Sequence, residues 1–185
     1  MNLYNAKKEE HFIEAYQKHF TGLTPKRVLE IGVQGGGSLK IWRDFFPEAE
    51  IVGIDIDPLC KEHEGDHITV QIGSQSDVKF LESLGDFDII IDDGGHTMSQ
   101  QQISMKWLLP QLREGGVYVI EDLHTSYWIQ FKDIEHSTIE EIKSLIDDIH
   151  TYADQSERCI KKKGFENKYR LTSMAIYPGI AFLFK

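Results

Sequence analysis

Residues 27–38, RVLEIGVQGGGS, constrain this chain more than any other stretch. A short apolar run breaks into a cluster of glycines. A helical pattern follows at once, with Leu39, Trp42 and Phe46 on one face. Strand, glycine turn and helix make the opening unit of a nucleotide-binding β/α fold. Glycines let the backbone pass close to a ligand where a Cβ would collide, and the helix N-terminus adds unpaired N–H groups. Gly32, Gly36 and Ser38 are therefore expected at a ligand.

The rest of the chain repeats the alternation. An amphipathic helix over about 6–20 carries Phe12, Tyr16 and Phe20 at a spacing of four. After the glycine turn the helix runs to about Phe46, where Pro47 stops it. Residues 51–55, 68–72, 87–91 and 117–120 read as further strands, and the Ile89–Ile91 run suits a strand buried on both faces. Asp77 or Ser76 caps a short helix carrying Val78, Leu81 and Leu84. A long helix is expected over about 98–112, with Ile103, Trp107 and Leu108 inward. Ser137 and Glu140 form a capping box ahead of a helix with Ile139, Ile142, Ile146 and Ile149 at helical spacing. Residues 153–170 carry no period and read as a loop. Two closing strands, over 171–176 and 180–184, meet at Tyr177, Pro178 and Gly179, which implies an antiparallel pair. Alternation of this kind predicts an α/β, mostly parallel sheet with helices on both faces, in a single domain spanning 1–185.

Ligands in such sheets sit at the carboxyl ends of the strands, and every polar motif falls there. Glu30 lies inside the first strand's end. A pyrophosphate is repelled by it, whereas a cationic amino-acid group is not, so it favours S-adenosylmethionine over a dinucleotide. Asp55 ends the second strand about 25 residues later, near the spacing at which an acid takes ribose hydroxyls, with Asp57 as the fallback. Ser74 and Gln75 follow the third strand and are candidates for the adenine. Asp92 follows the fourth and is a candidate for the methionine end. Asp93, Glu121 and Asp122 end neighbouring strands, and three oxygen donors around one point suit a hard divalent cation such as Mg²⁺. His96 sits in a glycine-flexed loop beside them and can accept a proton near neutral pH, with His124 as its competitor. Tyr127 and Trp128 either wall an acceptor or pack in the core.

Charge narrows the partners. A net charge of −10 argues against nucleic acid, and the short run at Lys161, Lys162 and Lys163 reads as a solvated loop. No apolar run approaches membrane-spanning length and Met1 begins no signal peptide, so a cytoplasmic protein with no membrane partner is expected. Cys60 and Cys159 lie in no C-x-x-C motif and read as reduced thiols.

Three segments carry a resemblance: LEIGVQGGGSLKIWRDFFPEAEIVGIDID, FDIIIDDGGH and GGVYVIEDLHTSYW, within residues 27–128. Through them the chain resembles the class I S-adenosylmethionine-dependent methyltransferases, and more narrowly the macrocin and mycinamicin sugar O-methyltransferases, with cephalosporin hydroxylase-like relatives. The glycine turn departs from the family's pattern at Gln34, and Ser74 stands where relatives often have Asp. The resemblance implies a Rossmann-like, seven-stranded, mostly parallel sheet with a C-terminal antiparallel hairpin. It implies Mg²⁺ ligands at Asp93, Glu121 and Asp122 and a general base at His96. The expected reaction is O-methylation of a small-molecule hydroxyl, on a sugar or glycosylated natural product. An open substrate side is compatible with a homo-oligomer. Two other readings are a non-catalytic S-adenosylmethionine-binding protein and an NAD-dependent oxidoreductase, although no G-x-G-x-x-G can be read over 32–40.

Overall fold

A computed structural model describes residues 8–150 and 168–185. Seven strands form one sheet: β1 (Arg27–Ile31), β2 (Glu50–Asp55), β3 (Ile68–Ile72), β4 (Phe87–Asp92), β5 (Leu112–Ile120), β6 (Ser173–Tyr177) and β7 (Ile180–Phe184). Their order is β3-β2-β1-β4-β5-β7-β6. The first five run parallel; β7 is antiparallel to both β5 and β6, as the short Pro178-Gly179 connection implies. The chain reverses direction across the sheet between β1 and β4, which is where such folds open a ligand crevice.

Among the described residues five α-helices cover the two faces: α1 (Glu10–Phe20), α2 (Gly37–Phe45), α3 (Val78–Ser83), α4 (Met98–Leu108) and α5 (Thr138–Ile149). Period-two alternation sorts the strand side chains between two cores. Leu29, Ile31, Ile90, Tyr118 and Ile120 pack with Leu81, Met105, Leu108, Ile142 and Leu145 beneath α3, α4 and α5. Val28, Ile89, Ile91, Val117 and Val119 pack with Phe12, Tyr16, Phe20 and Trp42 beneath α1 and α2. On the second face Tyr16 lies edge-on to Trp42 and Phe182, ring centroids 4.8 and 5.5 Å away, anchoring α1 across the sheet.

Local rules account for most element ends. Asp77 caps α3 by accepting from Lys79 and Phe80 N–H, and Ser137 and Glu140 make the expected capping box on α5. Five expectations need correction. The helix drawn over 98–112 stops at Leu108, because Pro110 cannot continue it, and β5 begins at Leu112 rather than Val117. The first helix begins at Glu10; residues 6 and 7 lie outside the described residues. On α5 the buried positions are Thr138, Ile142 and Leu145, while Ile146 is 45% exposed, since the helix turns Ile146 past the contact line. On α4 the buried face includes Gln101 and Ser104, with Ile103 and Trp107 only half-buried. Most of the 153–170 loop, the lysine run and Cys159 lie outside the described residues; Cys60 is buried. Among the described residues no helix is long and apolar enough to cross a membrane.

Candidate active site

The carboxyl ends of β1 to β5 open into a cavity of about 880 Å³, lined by Gly32, Ser38, Asp55, Ser74, His96 and Asp122 among others. That volume suits a drug-sized or cofactor-sized ligand. Along its β2 wall Asp55 organises the glycine turn. One carboxylate oxygen accepts the Val33 and Gln34 N–H groups at 2.9 and 3.1 Å, and the other accepts Asp57 N–H at 2.9 Å. Burial raises the pKa of Asp55, but these donors outweigh it and hold the group below its usual value. The Asp57 side chain caps the 3-10 helix Pro58–His63, accepting from Leu59 N–H.

The floor is braced by Gln75. Its amide donates to Asp92 and Ser104 at 3.2 and 2.9 Å and accepts Gly95 N–H at 2.6 Å. Asp92 is fully buried, also accepts from Tyr118 Oη, and burial pushes its pKa up to about 7. Asp92 does not line the cavity. It lies on the α4 face of the sheet and Asp93 on the α1 side, because consecutive residues leaving a strand point to opposite faces. Asp92 is thus held among Tyr118 and Gln75 beneath the cavity, and the Gln75 amide, at the cavity wall, joins the end of β4, α4 and the Gly95 loop.

At the inner end, acids from three strands converge on the α1 face. The Lys8 ammonium lies 2.9 Å from Asp93 Oδ2, 2.5 Å from Glu121 Oε1 and 3.6 Å from Glu30 Oε1. Tyr16 Oη donates to the same Glu121 oxygen at 2.5 Å. Burial alone strips a lysine of its proton, but Glu121, then Asp93 and Glu30, outweigh it and keep Lys8 charged. Burial pushes Glu121 up to about 7, against the pull of Lys8, and pushes Glu30 up to about 8. Both Glu30 carboxylate oxygens are buried without a hydrogen-bond partner. The one Lys8 ammonium thus faces the carboxyl groups of Asp93, Glu121 and Glu30 together.

Beside this pair, Asp93, His96 and Asp122 each offer a ligand atom within 4.8 Å of the others. His96 Nε2 is 3.4 Å from Asp122 Oδ2, and His96 Nδ1 is buried without a partner. A carboxylate–imidazole–carboxylate set suits a divalent cation of the first row or Mg²⁺. Three residues lining the cavity, Gln34, His96 and Asp122, hold φ values of 46°, 58° and 54°, in the left-handed region. Such backbone strain is held only by surrounding contacts. The buried Thr125 hydroxyl is one of them, reaching the Asp122 and His96 carbonyls at 2.7 and 3.2 Å.

Residues 29–123 match the model of a family described as a methyltransferase domain. The chain belongs to that family. Among its curated relatives, 8-demethyl-8-(2-methoxy-alpha-L-rhamnosyl)-tetracenomycin-C 3'-O-methyltransferase of Streptomyces olivaceus is 42% identical over 75% of this chain and 40% of its own length. Mycinamicin VI 2''-O-methyltransferase of Micromonospora griseorubida is 35% identical over 94% of this chain and 48% of its own. The solved structure of the MycE methyltransferase from the mycinamycin biosynthetic pathway, in complex with Mg, SAH and mycinamycin VI, superposes with a TM-score of 0.85. It is 33% identical and is matched over 97% of this chain and 50% of that one. The chain thus spans about half the length of the relatives it matches.

Within this methyltransferase domain, the residues named from the sequence divide into two groups. Gly32, Ser38, Asp55, Ser74, Gln75, Asp93, His96 and Asp122 border the cavity. Glu30, Gly36, Asp92 and Glu121 do not, although Glu30 and Glu121 reach it through Lys8. The metal trio expected at Asp93, Glu121 and Asp122 differs from the cluster observed, in which His96 takes the third place and Glu121 is held by Lys8 and Tyr16. The acids still converge, since one ammonium bridges Asp93 and Glu121. His124 lies against Trp128, ring centroids 4.7 Å apart, and does not border the cavity. Tyr127 and Trp128 are 75% and 46% exposed, so they are not core. Lys8 and Thr125 went unrecognised. A lysine ahead of an amphipathic helix and a threonine in a 3-10 turn carry no local signature of a distant partner.

Proposed function

We propose that this chain is an S-adenosylmethionine-dependent, divalent-metal-assisted O-methyltransferase acting on a hydroxyl of a glycosylated small molecule. The observation that carries the reading is the Asp93–His96–Asp122 cluster lining a cofactor-sized cavity. The sugar O-methyltransferase relatives support the acceptor class, and the magnesium and SAH named for MycE support the two cofactors. The donor chemistry fits both. The Asp55 carboxylate beside the glycine turn suits ribose hydroxyls, and the carboxylate-rich cluster suits a hard cation.

When bound, the cofactor supplies an electrophilic methyl group and the cation lowers the cost of an alkoxide. The chain's own residues do the rest. Asp55 fixes the glycine turn and faces the cavity where ribose hydroxyls would lie. Asp93 and Asp122, with Glu121 adjoining, would hold a divalent cation beside the acceptor hydroxyls. His96 accepts the proton of the attacking hydroxyl, and the facing Asp122 carboxylate favours the resulting imidazolium. Phe131, its ring centroid 6.3 Å from that of His96, and Trp128, 6.0 Å from Phe131, offer a face for a sugar ring.

Transfer of labelled methyl to rhamnosylated or related vicinal-diol acceptors tests the reading. Activity should vanish in chelator and return with Mg²⁺; full activity in excess chelator, or binding of NAD without response to S-adenosylmethionine, ends it. The proximity of His96 to both aspartates favours one second reading, in which His96 is a metal ligand. His96→Ala separates the two, because loss of a base leaves Mn²⁺ affinity intact and loss of a ligand does not.

A further inference from the structure

We propose that Lys8 is an intramolecular competitor of the divalent cation. Its ammonium sits between Asp93 and Glu121, so metal entry withdraws Lys8 from the cleft and frees Glu121 to join the metal's ligands. The inference rests on the metal-assisted reading above.

Four observations carry it. First, Lys8 is seated as a resident cation: its side chain is only 4% exposed, and it contacts Asp93 and Glu121 at 2.9 and 2.5 Å. Second, its ammonium also lies 5.6 and 5.9 Å from the Trp42 and Tyr16 ring centroids, so aromatic faces complete the pocket. Third, Lys8 contacts Asp93, which also belongs to the Asp93–His96–Asp122 cluster, and lines the same cavity. The two cations therefore call on one carboxylate. Fourth, among the described residues that border the cavity Lys8 is the single lysine or arginine.

The local structure permits withdrawal. Lys8 precedes α1, whose N-cap, Glu9, makes no side-chain cap hydrogen bond. The helix itself is pinned further along by Phe12, Ala15, Tyr16 and Phe20. Movement of the Lys8 side chain therefore leaves α1 in place. On release, Glu121 keeps the Tyr16 hydroxyl as a donor and stays oriented. A divalent ion brings twice the charge of an ammonium to the same oxygens, and it reaches Asp122 as well. A site competent for metal only when Lys8 is out has an apparent affinity lowered by the fraction of time Lys8 is out.

The test is Mn²⁺ binding to the metal-free, full-length chain, followed by calorimetry and the spin resonance of free Mn²⁺. Lys8→Met should bind at least about tenfold tighter than the parent, a gain of about 1.4 kcal/mol. A second measurement uses the parent protein alone. Acetylation of Lys8, located by mass spectrometry and compared with exposed Lys132, should be slow without metal and at least about fivefold faster in saturating Mg²⁺. Equal Mn²⁺ affinity in parent and variant, with Lys8 still protected in Mg²⁺, overturns the competition and leaves the metal reading standing. Weaker binding by Lys8→Met overturns it in favour of a lysine that supports the ligands. Absence of Mn²⁺ binding in both proteins removes the metal reading and this inference with it.

Discussion

Gly32 and Gly35 sit three residues apart in one glycine turn, and the structure gives them opposite consequences. A Cβ added at Gly32 would lie 2.2 Å from the Asp93 carbonyl oxygen and 2.9 Å from its carbon, at a φ of +91°. Neither atom can retreat easily, since Asp93 N–H is bonded to Ile31 O and Gly32 N–H to Ile54 O. Gly32→Ala therefore incurs a left-handed backbone penalty of about 1–2 kcal/mol and an overpacking penalty of about 1–3 kcal/mol. The sum, about 2–5 kcal/mol, lowers Tm by on the order of 10 °C in a domain of this size. It also displaces Asp93, so Mn²⁺ affinity should fall with stability. A Cβ at Gly35 meets nothing within 4 Å, yet Gly35 borders the cavity. Gly35→Ala should change stability by no more than about 0.5 kcal/mol while weakening S-adenosylhomocysteine binding. Thermal melts and calorimetry on both variants decide the matter. Parental stability in Gly32→Ala, or equal destabilisation by Gly35→Ala, refutes the assignment of Gly32 to a close backbone contact with Asp93.

Replacing Gln75 with Leu removes the amide that ties Asp92, Ser104 and Gly95 together; urea unfolding should show a loss of about 1–3 kcal/mol for the unpaired buried groups. In chelator, Glu30 and Asp92, raised by burial to about 8 and about 7, hold protons that the unfolded chain has already released. The folded state then binds more protons, so stability should fall as pH rises from about 4.5 to 8, by up to about 1.4 kcal/mol per unit and group; a urea midpoint that climbs between pH 5.5 and 8 contradicts this. His96→Ala should keep S-adenosylhomocysteine affinity and lower single-turnover methyl transfer by roughly 10²–10⁴-fold, and a variant with parental turnover moves the base elsewhere.

Much of the architecture is local and could be read from the chain. The strand limits of β1 and β3, the capping box at Ser137 and the hairpin at Gly179 follow from apolar runs, caps and turn residues. Their alternation dictates a parallel sheet with a closing hairpin, and therefore a crevice at the carboxyl ends. The candidate acids at Glu30, Asp55, Asp93, Glu121 and Asp122 were visible for the same reason, since each stands where an apolar run ends.

Which face each acid occupies was decided by tertiary structure. Register sets Ile31 beside Asp92 and Asp92 beside Ile120, so the residues just before and after these ends alternate between the α1 and α4 faces. That parity sends Asp92 into a brace with Tyr118 and Gln75, and Glu30 and Glu121 to the underside of α1. The partner that α1 delivers, Lys8, is 85 residues from Asp93 and 113 from Glu121. The strained backbone at His96 and Asp122 likewise depends on one threonine hydroxyl 29 residues beyond His96. Periodicity and caps act over a few residues and leave their mark in the sequence. The meeting of one ammonium with three acids depends on strand register and on the packing of Phe12, Tyr16 and Phe20, whose combined result exists only once the chain has folded.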